Sequence, residues 1–260
     1  MKKFVIFSFI LALVFLASTA LAQDLPSVKD LLAKAKSAKQ EDSAVNKVEM
    51  TIINKRGDKM LNQMVTRSKT VKGLSSTVTT FLIPTETKGT KFLMIQNPSG
   101  PDTMMIFIPD LKRVRTISTS QSREQYMGTD FAFSDLEDLD PNIGTHKVAG
   151  VEQIDGQDCF KLESELDPKT GGGYSKQINW FRKDNYIAVK TDYYDKDGNL
   201  KKVRTVPELY QQGKIWILKK MIMKDVQKDH QTIIEIKQSD QKPVEDSYFS
   251  EQFLLQTDKY

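Results

Sequence analysis

Ile215-Trp216-Ile217-Leu218-Lys219-Lys220-Met221-Ile222-Met223 is the stretch on which the fold turns. Under the two-residue alternation of a strand, Ile215, Ile217, Met221 and Met223 share one face, and Trp216, Leu218 and Ile222 share the other. Residues 47–53 carry one such face in Val48, Met50 and Ile52. A sheet apolar on both faces needs cover on both. The helices legible in this sequence are too few and too short to cover a sheet of about ten strands, so the sheet is expected to curl and bury one face inside itself.

Outward from there, segments rich in Val, Ile, Thr, Phe, Tyr and Met alternate with turn signals. Strands are expected at 47–53, 74–83, 91–96, 103–108, 113–118, 161–166, 177–181, 187–194, 215–223 and 232–237, roughly ten or eleven in all. The turns include Asn54-Lys55-Arg56-Gly57-Asp58 and Asp195-Lys196-Asp197-Gly198-Asn199. Ser27, with Asp30 three residues on, predicts the cap of a helix that carries Leu31, Leu32, Ala35 and Ala38 and ends near Gln40. Within 125–141, Ser134 and Glu137 read as a capping box and Asp140-Pro141 as a stop, which predicts a short inserted helix. A further helical turn is expected within 243–255. The fold class is mainly β with a few short helices: a strongly curled antiparallel sheet covered by the N-terminal helix and the inserted one.

The N-terminus reads differently. Lys2 and Lys3 precede an apolar stretch that ends in Ala20-Leu21-Ala22, the pattern of a cleaved export signal, so residues 1–22 are expected to be removed after Ala22. Residues 23–260 are then a single domain in the periplasm, with no stable membrane insertion. Without Lys2 and Lys3, the 38 basic side chains fall to 36 against 34 acidic ones, a net charge of +2. That balance argues against a nucleic-acid partner. Cys159 is the only cysteine, so no intramolecular disulfide is available.

Catalytic and metal-binding patterns are missing. His146 and His230 stand apart, with no companion at ligand spacing, and no G-x-S-x-G elbow occurs. Cys159 lies in an expected strand and reads as a buried thiol. Asp135, Glu137, Asp138 and Asp140 lack the ordered spacing of a calcium loop, and Arg56-Gly57-Asp58 reads as turn residues. No catalytic residue, metal ligand or cofactor is expected.

Ile106-Phe107-Ile108-Pro109-Asp110-Leu111-Lys112-Arg113-Val114-Arg115, followed by Met127-Gly128-Thr129-Asp130-Phe131 and Ser134-Asp135-Leu136, resembles the signature of one branch of the LolA-like outer-membrane lipoprotein-sorting protein family. Trp180-Phe181-Arg182-Lys183-Asp184 and Asp246-Ser247-Tyr248-Phe249-Ser250 resemble further parts of it. The resemblance implies a half-open barrel with an apolar concavity, no cofactor, and a periplasmic carrier that takes acyl chains of lipoproteins or other lipids towards the outer membrane. It leaves open a non-carrying adaptor of an RND-type membrane exporter. A lipid-hydrolysing enzyme is the third alternative, for which the sequence names no nucleophile.

The candidate cavity lining is Val48, Met50 and Ile52, then Phe81, Phe92, Met94 and Phe107, then Ile178 and Trp180, and finally Trp216, Met221 and Met223. Phe131, Phe133, Leu136 and Leu139 are apolar in a segment too short and too Asp-rich for a strand, so residues 128–139 are expected to lie on the open sheet face as a lid or plug. There Gly128 would allow close approach, Asp130 would tie the loop to nearby backbone amides, and Asp135 would sit in the turn that Ser134 and Glu137 start.

Overall fold

The computed structural model of the chain describes residues 25–169 and 172–256. The expected export signal and its cleavage after Ala22 lie outside the described residues. Helix α1 (Val28–Lys39) starts where Ser27 Oγ accepts the Asp30 amide at 3.1 Å and ends with Gln40 as its C-cap. Thirteen strands follow: β1 (Ser43–Ile53), β2 (Lys59–Val71), β3 (Leu74–Ile83), β4 (Lys91–Ile95), β5 (Thr103–Ile108), β6 (Arg113–Thr116), β7 (Thr145–Ile154), β8 (Gln157–Glu165), β9 (Lys176–Arg182), β10 (Ala188–Tyr194), β11 (Leu200–Gln212), β12 (Ile215–Asp225) and β13 (His230–Asp240). Helix α2 (Glu251–Leu254) closes the described chain.

All the strands join one antiparallel sheet in the order β6-β5-β4-β3-β2-β1-β13-β12-β11-β10-β9-β8-β7. Only the β1–β13 pair joins strands distant in sequence. The sheet is not closed: β6 and β7 are its edges, and residues 117–144 run from one edge to the other. The hairpin tips use the expected turn chemistry. Asn54 Oδ1 accepts the amides of Arg56 and Asp58, Asp195 Oδ1 accepts those of Asp197 and Asn199, and Gly57 sits at φ +85°.

Curling follows from the packing. Ile106 on β5 and Tyr193 on β10 belong to one buried cluster, although β10 lies eight places from β5 in the sheet order. In a flat sheet those strands would be ~38 Å apart. The curl still stops short of closure and is milder than the strong curl expected. The inner face is covered by α1 over Phe160, Leu162 and Phe181, and by the inserted segment over β1–β5. Outside, α2 lays Phe253 and Leu254 on Val78, Leu93 and Phe107. The buried Lys91 donates from Nζ to the Phe253 and Gln256 carbonyls, which holds that helix down.

Candidate functional site

Register places the inner face residue by residue. Val48 and Met64 are paired on β1 and β2, Met64 and Phe81 on β2 and β3, Phe92 and Ile106 on β4 and β5, and Met50 and Ile234 on β1 and β13. Of the candidate lining, Val48, Met50, Ile52, Phe81, Phe92 and Met223 are buried together in this inner cluster, and Met94 is packed against it half-buried. Met221 pairs with Ile234 on the same face and is also half-buried.

Three expected lining residues point the other way. Phe107 lies one residue out of phase with Ile106, on the outer face under α2. Ile178 and Trp180 are likewise out of phase with the inward Asn179 and pack with Cys159 on the outer face, where Trp180 Nε1 donates to Glu152 at 2.8 Å. Trp216 is half-buried and belongs to none of the apolar clusters. Alternation alone gives two faces without saying which is inside, and in β5 and β9 the inward face is the opposite of the one expected.

The inserted segment fills the concavity. Ile117, Tyr126, Phe131 and Phe133 are buried in the inner cluster, with Met127 and Leu136 packed against it. Tyr126 stacks edge-on to Phe133, with ring centres 5.6 Å apart, and also meets Phe92 at 5.1 Å. Burial pushes the Tyr126 hydroxyl far above its ordinary value. Leu139 packs with the α1 cluster instead. Two surface pockets, one of about 270 Å³ beside Ser175 and Ile178 and one of about 210 Å³ beside Asn54 and His230, are lined by none of the inner cluster's buried side chains.

Two buried carboxylates hold this plug in place. Asp130 accepts His230 Nδ1 at 2.8 Å and Thr232 Oγ1 at 2.7 Å, while its own amide donates to Thr232 Oγ1 at 2.9 Å. Thr232 thus gives its proton to the carboxylate that His230 also faces, and is not arranged as a nucleophile. Asp135 Oδ2 accepts the Ala132 amide at 2.7 Å, Tyr174 Oη at 3.1 Å and Lys202 Nζ at 3.2 Å. Lys202 and Asp135 expose 7% and 1% of their side chains, so this ion pair is inside the protein.

Several local expectations are corrected. Asp130 binds side chains of β13, not nearby amides. Gly128 has open space around the place of a Cβ, so close approach is not its role. Met127 and Gly128 have φ +49° and +72°, and the Thr129 amide bonds the Tyr126 carbonyl, a tight turn that needs left-handed backbone at both central positions. The inserted helix is a short 3-10 turn, Phe133–Leu136, capped by Asp135, and Ser134 Oγ is buried without a partner. Its tail is tied down by Lys39, 2.8 Å from Asp138, whose carboxyl is lowered by that charge. Tyr174, Tyr193, Lys202 and Thr232 are inner residues that the sequence did not disclose. Among the described residues no group of three or more His, Cys, Asp and Glu side chains could hold a metal ion, and no helix is long and apolar enough to cross a membrane.

This architecture has solved counterparts. A domain from Vibrio parahaemolyticus named for outer-membrane lipoprotein sorting is 27% identical, with a TM-score of 0.81 over 87% of this chain and 97% of that one. A DUF1329 family protein from Desulfovibrio piger is 26% identical, with a TM-score of 0.79 over 86% and 96%. A LolA superfamily protein from Nitrosomonas europaea, at 18% identity, shares the fold, with a TM-score of 0.67 over 86% and 98%. These neighbours are LolA-like, and they lend no support to an RND exporter as partner. No curated protein matches the sequence. A family model described as uncharacterized-protein-like matches residues 73–256, which include the inserted segment and both of its anchoring carboxylates. With that match the chain belongs to the family this model describes, and it shares its fold with the LolA-like outer-membrane lipoprotein-sorting proteins.

Proposed function

We propose that the protein is a periplasmic carrier that takes acyl chains of lipoproteins or other lipids onto its inner face and delivers them towards the outer membrane, without covalent chemistry. The observation that carries this reading is the inner face of β1–β5, apolar across five strands and covered there by the chain's own inserted segment. Tyr126, Phe131 and Phe133 stand where acyl chains would lie. Transfer of a chain of about sixteen carbons from water, at ~0.8 kcal/mol per methylene, contributes on the order of 10 kcal/mol. Removing one or two buried aromatics from a core costs about 3–5 kcal/mol each. The two terms are comparable, so exchange of plug for cargo can be reversible. On this reading residues 23–260 act as one domain, and the neighbours' names support a location between the two membranes.

A filled interior favours a second reading, in which the plug is fixed and the protein binds a partner through its rim. Native mass spectrometry of protein released gently from the periplasm separates the two. The carrier reading expects a retained lipid mass, together with extraction of labelled lipid from vesicles. A chain that holds no lipid and extracts none overturns it.

A further inference from the structure

Between the two apolar parts of the inner face runs a polar strip. Asn179, Thr191 and Arg204 are register partners across β9, β10 and β11, and Tyr193 and Lys202 are the next inward pair. Thr191 Oγ1 donates to Asn179 at 2.8 Å and accepts Arg204 Nη2 at 3.1 Å. Arg204 Nε and Asn179 Nδ2 are buried with no partner, and so is Asp135 Oδ1. The Arg204 guanidinium and the Asp135 carboxylate both act on the Tyr193 phenol, which burial holds at about 12. Asp225, paired in register with Lys202, is committed to the Gln227 and Lys228 amides of its own turn. The strip therefore holds two unpartnered donors, on Arg204 and Asn179, that its one free-standing anion, Asp135 of the plug, does not reach even with its Oδ1 unused. A buried ion pair is a poor device for stability alone, because desolvation offsets most of its attraction. A carboxylate here uses one oxygen, whereas a phosphate offers three or more acceptors to the same donors.

We propose that Lys202, Arg204, Asn179 and Tyr174 form a receiving site for the anionic phosphate of a lipid headgroup, and that Asp135 is its intramolecular stand-in, expelled when cargo enters. The inference rests on the carrier reading and narrows it: the cargo is an acidic phospholipid in preference to the uncharged, acylated cysteine of a lipoprotein.

Phosphatidic acid and diacylglycerol with matched acyl chains differ only in the phosphate, and each is offered in phosphatidylcholine vesicles to the full chain. Wild-type protein is expected to extract phosphatidic acid at least about tenfold better. Lys202→Met should reduce that preference to near unity while diacylglycerol extraction persists. Asp135→Asn, which keeps the shape and removes the charge, should increase phosphatidic acid extraction selectively. Equal extraction of both lipids by wild type and Lys202→Met overturns the headgroup site and leaves the carrier intact. Extraction of neither by any form overturns the carrier reading itself. Inorganic phosphate that competes as well as phosphatidic acid does would assign the site to a free anion and overturn the lipid assignment.

Discussion

Burial, reinforced by the Asp102 carboxylate, holds the Glu137 carboxyl up at about 7, against an ordinary value of 4.5. The folded protein therefore binds this proton more tightly than the unfolded chain. Its contribution to stability is complete below about pH 4.5 and is lost as pH rises through 7. Glu137→Gln should equal wild type in denaturant midpoint at pH 4 and exceed it at pH 8; a difference of the same size at both values would refute the assignment. Thr232 tests the Asp130 anchor. Thr232→Val keeps the volume but removes one donor to the Asp130 carboxylate and the acceptor of the Asp130 amide, both buried. A loss of about 1–3 kcal/mol is expected in urea unfolding, against near zero if the contact contributes nothing.

On the carrier reading the inserted segment is the element on which function depends, and its backbone bonding is compatible with displacement. Between 121 and 143 its backbone-to-backbone bonds run within the segment, from Tyr126 to Phe131, Phe133 to Glu124 and Asp135 to Ala132, and the Asp130 amide reaches β13 only through the Thr232 side chain. Leaving the concavity breaks side-chain contacts and no strand pairing of the sheet. Phe133→Ala should lower unfolding free energy by about 3–5 kcal/mol without lipid, and a bound acyl chain should recover part of that loss; thermal or urea unfolding with and without lipid reads both. Strand β12, helix α1 and the hairpin tips were legible because periodicity and turn chemistry are local. Strands β2, β7 and β11 were not, because Lys59-Met60-Leu61-Asn62-Gln63 and Leu200-Lys201-Lys202-Val203-Arg204 place polar side chains on both faces, and Pro207 falls at a register shift in β11. Pairing with neighbours, not propensity, makes these strands. The same polarity hid Lys202 and Arg204, which look like surface residues until the curl turns them inward. The inserted segment was legible from Phe131, Phe133 and Leu136, but its anchors depend on contacts 39 to 102 residues apart, which no local pattern carries.

Across the whole molecule, an open sheet of thirteen strands has two edges, and the plug is the connection between them. Edge strand β6 is only four residues long and carries Arg113 and Arg115, features that discourage pairing with another sheet. On the carrier reading the segment swings out, and because its ends leave from the two edges the strand order would stay intact. Hydrogen exchange over residues 125–136, measured with and without phosphatidic acid vesicles, tests this most directly. Strong protection is expected in the free protein and should fall when lipid is bound, while β1–β5 stay protected; lipid retained with the segment's protection unchanged would contradict a displaceable plug.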